Sequence, residues 1–269
     1  MTRKPSHVSS DSDPRYNIRV LDRAFRILSL LADGKPRTML ELSEGIELSP
    51  STTFRLLSTL TYYRYLKRDE QTNQYSLGLA CLELYRAFSE SNDIRQTALP
   101  ELEALRNDVK EVVHLAVLDQ NEVVYLDKLS GLHTVGIMGS RIGGRSPSYC
   151  TGVGKVLLAY EKNPTYIEFF EKNPFEKFTD TTITSIEDLQ AELNEIRRQG
   201  FALDRGEHES EVWCVATPIF NISGEAVAAL SISGPSARIA PLDENSELVK
   251  KARLTARTIS IKLGFNPDR

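Results

Sequence analysis

Cysteine is scarce. Cys81, Cys150 and Cys214 are the only three thiols in 269 residues, and they lie far apart. An odd number with no Cys-x-x-Cys pair excludes a disulfide framework and fits a reducing compartment, so a cytoplasmic protein is expected. Long apolar runs are missing too: none approaches the ~18 residues of a membrane span. The first thirteen residues are polar, with no apolar core of a secretory leader, and none is expected. An excess of basic charge is also lacking. With 33 Lys and Arg against 37 Asp and Glu, the net charge of -4 excludes a uniformly basic nucleic-acid binder.

The catalytic and cofactor signatures are missing as well. Around Gly152-Val153-Gly154-Lys155 a phosphate loop would need Gly where Tyr149 stands and Ser or Thr where Val156 stands. The glycines of 139–144 have the wrong spacing for a dinucleotide fingerprint. No Gly-x-Ser-x-Gly elbow and no His-Glu-x-x-His is present. The four histidines (7, 114, 133 and 208) form no pair at metal spacing. No catalytic residue, cofactor or metal ligand is therefore expected. A spatial cluster of His114, His208, Cys214 and Asp204 stays open as the metal-binding alternative.

What is present is an uneven distribution of charge. Residues 1–77 carry 12 Lys and Arg against 9 Asp and Glu, a net of +3, and the remainder carries a net of -7. A mildly basic front on an acidic body suggests a polyanion-facing module joined to a different kind of domain. Residues 1–16 read as a disordered tail. Val20, Leu21, Ala24, Phe25, Ile27, Leu28 and Leu31 then recur at helical spacing. Thr38 and Glu41 have the capping-box spacing for a second short helix that offers Leu40 and Leu42 to a core and ends at Gly45. Ser49-Pro50 reads as an N-cap with proline in the first turn of a third helix, with Phe54, Leu57 and Leu60 facing inward and Leu56 beside them.

Two helices joined by a short glycine-containing turn are the pattern of a helix-turn-helix. The first turn of the third helix carries small hydroxyl residues suited to a major groove. Thr38, Ser49, Ser51, Thr52, Thr53 and Arg55 are the expected DNA contacts. Lys67 and Arg68 join them from a strand-turn-strand wing over 65–78. The expected boundaries are 17–78 for the winged helix-turn-helix and 79–93 for a linker helix. The body, 94–269, alternates strands and helices and contains hairpins, which indicates an α+β domain with a mainly antiparallel sheet. A helix is expected from about Ile94 to Lys110, with Pro100 near its first turn, and 133–138 reads as a strand.

The start of a helix at Thr151 offers the amides of Gly152, Val153 and Gly154 to an anion, and Arg141 upstream is a bidentate partner for a carboxylate. Asp204, Cys214, Ser231 and Ser233 stand near strand ends, with both serines on one face. A pocket without a nucleophile-base pair reads as a receptor. A small-molecule enzyme with an accessory helical domain and a protein-interaction scaffold are the other classes.

Over nearly its whole length the chain resembles IclR-type transcriptional regulators. RVLDRAFRILSLLADGKPRTMLELSEGIELSPSTTFRLLSTLTYYRYLKRD with YSLG is similar to the family's winged helix-turn-helix. SPSYCTGVGKVLLA, IRRQGFALDRGEHESEVWCVATPIFN and AALSISGP are similar to its effector-binding domain. The resemblance implies a GAF-like effector domain and a homodimer or dimer of dimers on palindromic operator DNA. It implies no enzymatic activity and no membrane partner. It places Met138, Gly152, Val153, Asp204, Val212, Cys214, Ser231 and Ser233 around a ligand. The segments 140–159 and 182–189 look most like the family's repressors that sense 2-keto-3-deoxygluconate, so a small carboxylate effector is expected. An aromatic or short keto acid, with an activator's role, is the alternative. Trp213, beside Val212, is expected to reshape or cap the pocket.

Overall fold

The computed structural model describes residues 18–133, 138–162 and 165–267. The chain divides into two compact units, which meet between Ser91 and Asn92.

In the first unit, α1 (Arg19–Leu31), β1 (Arg37–Thr38), α2 (Met39–Gly45) and α3 (Pro50–Tyr62) precede the hairpin β2 (Leu66–Arg68) and β3 (Gln74–Leu77). The strands form an antiparallel sheet in the order β1-β3-β2. The core is Ile27, Leu31, Leu42, Ile46, Leu56, Leu57, Leu66 and Tyr75. Thr38 caps α2 as its spacing predicts: its hydroxyl accepts from the Glu41 amide, and the Glu41 carboxylate accepts from the Thr38 amide at 2.7 Å. Ser49 has N-cap backbone geometry, but its hydroxyl makes no cap bond. It lies against the hydroxyls of Ser51 and Thr52 instead, at 3.3 and 3.0 Å.

Several apolar positions face outward. Leu40 is exposed, and α1 buries Ile27 and Leu31 while leaving Val20, Leu21 and Phe25 in solvent. The helix α4 (Ala80–Ser91) buries only Ala80. Leu79, Leu82, Leu84, Tyr85 and Phe88 are exposed.

The second unit is a six-stranded antiparallel sheet in the order β6-β5-β4-β9-β8-β7. Its elements in chain order are α5 (Asp93–Val109), β4 (Val112–Asp119), β5 (Glu122–Leu129), β6 (Arg145–Pro147), α6 (Gly152–Ala159) and α7 (Tyr166–Lys172). They are followed by α8 (Ile186–Gln199), β7 (Ala202–Arg205), β8 (Val212–Phe220), β9 (Ala226–Pro235), α9 (Ser236–Ile239) and α10 (Glu247–Lys262). The Asn92 side chain caps α5 at the Arg95 amide. Helix α5 begins at Asp93, so Pro100 lies about two turns in and omits one rung of the ladder, rather than sitting in the tolerant first turn. Gln120 and Asn121, both at positive φ, close the β4–β5 hairpin in the sense that matches strand twist. The edge strand β6 follows the glycines of 139–144, and Pro147 is compatible with a sheet edge, where no inner partner needs its amide. Residues 134–137 of the expected strand 133–138 lie outside the described residues, and neither His133 nor Met138 is in a strand.

Helices pack on both faces of this sheet. Strand alternation sends Val113, Leu115, Val215, Leu230 and Ile232 toward α5 and α10. The opposite face receives Ala116, Ala216 and Ala229 beneath α6 and α8. His114, Cys214, Ser231 and Ser233 have the same parity as those alanines. The small-residue face is therefore also the polar one, and it lies beneath a helix whose eight residues are all buried.

Candidate functional site

The first site is the outer face of α3. Its inward row is Thr53, Leu56, Leu57 and Leu60 rather than the expected Phe54, Leu57 and Leu60. Phe54 is 52% exposed and Thr53 fully buried. Thr53 Oγ1 lies 3.3 Å from Ser43 Oγ and 3.2 Å from the Ser49 carbonyl, and Ser43 Oγ donates to the Leu48 carbonyl at 2.6 Å. Thr53 thus locks the turn between α2 and α3 and cannot reach DNA, which corrects its expected role. Thr38 is likewise committed to its cap: its hydroxyl also donates to the Glu41 carboxylate at 2.8 Å.

Ser51 and Arg55 remain on the exposed face as expected, flanked by the partly exposed Thr52. Phe54 and Ser58 join them there. Sequence reading misses both, because the rotation of the helix is set by the buried threonine. Lys67 and Arg68 are exposed on β2, and the Arg68 guanidinium donates to Asn73 Oδ1 and lies 5.9 Å from the Tyr75 ring centre.

The second site is a cavity of about 50 Å³ at the N-terminal end of α6. Met138, Gly152, Val153, Asp204, Val212, Cys214 and Ser233 line it, as the resemblance implies. Three expected residues do not. Arg141 opens an exposed turn, in which its carbonyl accepts from the Gly144 amide at 2.8 Å, and that turn carries it to the surface. Gly154 is enclosed by backbone: a Cβ there would lie 2.3 Å from the Ser148 carbonyl oxygen. Ser231 is buried against His114, with its hydroxyl 3.2 Å from Nδ1. Trp213 does not cap the cavity. It alternates with Val212 and Cys214 along β8 and packs against the core on the other side of the sheet.

His114, Tyr125, Ser140, Thr151, His208 and Glu209 complete the wall. The signal for His114 was its place as the one polar residue inside Val112–Val117, on the face later occupied by small side chains. Its Nε2 lies 2.9 Å from Ser140 Oγ, and burial, reinforced by the Lys128 ammonium, pushes its pKa down to about 3. The imidazole is therefore neutral at physiological pH. Lys128 Nζ donates to the carbonyls of Met138 and Ser140, and the Gly139 amide donates to Glu209 Oε1 at 3.3 Å. Residues 138–140 are tethered by these three contacts. Burial pushes Tyr125 up to about 12.

The acidic side of the cavity is organised by Asp204. It lies opposite Cys214 in the β7–β8 register. Asp204 Oδ1 accepts from the Gly206 and Glu207 amides at 3.1 and 2.8 Å, and the Cys214 thiol donates to Oδ2. Burial raises the Asp204 pKa against the pull of Lys155, and burial also holds the Cys214 thiol protonated. Behind Asp204, Lys155 is 1% exposed and spends its ammonium on Glu192 Oε1, the Leu203 carbonyl and Glu207 Oε1, at 2.9, 2.8 and 2.5 Å. Burial opposes its charge, but the surrounding carboxylates of Glu207, Glu192 and Asp204 outweigh it and raise its pKa. Among the described residues no group of three His, Cys, Asp or Glu side chains converges to hold a metal ion. No helix there is long and apolar enough to cross a membrane.

Residues 20–70 match the IclR helix-turn-helix domain, and residues 87–261 match the C-terminal domain of bacterial IclR transcriptional regulators. The chain is 33% identical over 244 residues to the HTH-type transcriptional regulator KdgR of Escherichia coli, covering 91% of this chain and 92% of the relative. It superposes on the crystal structure of Thermotoga maritima IclR with a TM-score of 0.74 at 30% identity, covering 93% of this chain and all of that one. An IclR homologue from Microbacterium hydrocarbonoxydans, crystallised with 4-hydroxybenzoate, superposes with a TM-score of 0.80 at 29% identity over 91% of this chain and 98% of that one. A helix-turn-helix with a polar exposed recognition face, joined to an antiparallel sheet unit and matched in both parts, makes this chain a member of the IclR family: a DNA-binding transcriptional regulator and not an enzyme.

Proposed function

We propose that the protein represses a catabolic operon and is released by a small hydroxylated carboxylic acid of the 2-keto-3-deoxygluconate type. The observation that carries this reading is the cavity wall. Ser140 and Ser233 offer hydroxyls and Asp204 a carboxyl group beside the α6 N-terminus, where backbone amides and the helix dipole favour a carboxylate. The likeness to KdgR over nearly the whole chain supports the sugar-acid class. The neighbour holding 4-hydroxybenzoate favours an aromatic acid as the second reading.

A cavity of about 50 Å³ has room for roughly one or two waters. A six-carbon acid therefore binds an expanded state in which residues 138–140 have left their tethers. Derepression follows if that state is the one with lower operator affinity. On the DNA side, the exposed apolar side chains of α1 and α4, including Phe25 and Phe88, favour pairing with a second copy on a palindrome. A homodimer, or a dimer of dimers, is the active form.

Electrophoretic mobility shifts with the neighbouring intergenic DNA test the reading, with and without 2-keto-3-deoxygluconate and 4-hydroxybenzoate. Release by the sugar acid alone is expected; no shift with any nearby DNA overturns the proposal. Arg55→Ala is expected to weaken operator binding by about 1–3 kcal/mol if Arg55 reads a base edge. Unchanged affinity removes Arg55 from the interface.

A further inference from the structure

A second concave site in the C-terminal unit is larger than the cavity beneath α6. A groove of about 360 Å³ lies between β8, the end of α6 and the outer side of α10. It reaches the lower end of the size range of small-ligand pockets, where the α6 cavity does not. Its wall is aromatic. Phe220 stacks on Phe265 with ring centres 5.1 Å apart, and Tyr160 meets Phe220 edge to face at 5.3 Å.

The polar groups in the groove are of two kinds. Ser260 and Thr217 are already spent: Ser260 Oγ donates to the Ala256 carbonyl and accepts from the Phe220 amide, and Thr217 Oγ1 donates to the Ala252 carbonyl. Arg253 and Arg257 are one turn apart on α10, both exposed, and neither has a carboxylate partner among the described residues.

We propose that this groove is a second ligand site, and that it takes an aryl carboxylate. The ring lies against Phe220 and Phe265, and the carboxylate pairs with Arg253 and Arg257, whose planar forks match its geometry. The Tyr160 hydroxyl, which has no hydrogen-bond partner among the described residues, is a further donor at the same mouth. A polyhydroxylated acid is disfavoured, because the Ser260 and Thr217 hydroxyls are internally committed and the rest of the wall is aromatic or cationic. The two sites therefore differ in ligand class, and either can fail without the other.

The test uses the full chain and 2-naphthoate as probe, read by isothermal titration calorimetry. Naphthoate is expected to bind, the neutral isostere 2-naphthylmethanol at least tenfold more weakly, and gluconate not to compete. Arg253→Gln with Arg257→Gln is expected to weaken naphthoate at least tenfold at an unchanged thermal midpoint, since glutamine keeps helix propensity at exposed positions. The comparison of naphthoate with its neutral isostere tests the carboxylate requirement without a variant, and the single variant Arg257→Gln assigns it to the groove if the double variant folds poorly; competition by gluconate places naphthoate in the α6 cavity and overturns the proposal. Undiminished binding by the double variant, equal binding of the isostere, or no naphthoate binding at millimolar concentration overturns the proposal. So does a change in the sedimentation of the unliganded double variant, which makes the groove an interface between copies.

Discussion

Gly154→Ala is expected to cost the C-terminal unit about 3 kcal/mol or more, the upper end of what overpacking a core usually costs. The new Cβ would lie 2.3 Å from the Ser148 carbonyl oxygen, 2.4 Å from Ser148 Cα and 2.6 Å from Thr151 Oγ1. Two of these three atoms are backbone, in a segment pinned by the Thr151 hydroxyl on the Pro147 carbonyl at 2.8 Å. No rotamer change relieves the clash, and α6 must lift from the sheet. Against a total stability of about 5–15 kcal/mol this is a large fraction. In a unit of this size it corresponds to a fall in melting temperature of about 6–12 °C. Gly139→Ala is the control, because among the described residues its Cβ meets nothing nearer than Glu209 Oε1 at 3.8 Å. Urea denaturation followed by circular dichroism separates the two. Equal midpoints would show that the Ser148 backbone yields easily.

Lys155→Met is expected to cost about 3–5 kcal/mol near neutral pH, because it leaves the carboxylates around Lys155 buried without their cation. The loss should depend on pH. In the wild type, burial pushes Glu207 up to about 7, partly offset by the Lys155 ammonium. Its pKa in the fold is thus above the ordinary carboxylate value, and between about pH 4.5 and 7 the folded state binds more protons than the unfolded chain. Stability from this group falls as pH rises through that window. Removing the ammonium raises the Glu207 pKa further and extends the fall above pH 7. The deficit of the variant should therefore be small at pH 5, where Glu207 carries its proton in both chains, and largest at pH 8. A deficit that is the same at both would mean that Lys155 acts through packing alone.

Local chemistry was the legible part of this molecule. The capping box of Thr38 and Glu41, Pro50 at the start of α3 and the hairpins all follow from residues near one another in sequence. The rotation of a helix does not. Thr53 and Phe54 exchange their expected places because a threonine that satisfies Ser43 and the Ser49 carbonyl takes the inward position, leaving a phenylalanine outside. The cavity divides in the same way. Gly152, Asp204, Cys214 and Ser233 belong to motifs that resemble the family's. Ser140, His208 and Glu209 reach the cavity from loops that no periodicity marks, and Arg141 leaves it because a turn intervenes. Gly154 looked like an anion-binding amide, and what its position requires is the absence of a side chain.

The single tryptophan gives the alternation of β8 an optical meaning. Trp213 shares a strand with Val212 and Cys214 but lies on the far side of the sheet and is not part of the cavity wall. Its environment is the layer formed by α5 and α10. With a non-aromatic ligand, a change in its emission on titration is expected to report movement of β8 rather than contact with the ligand.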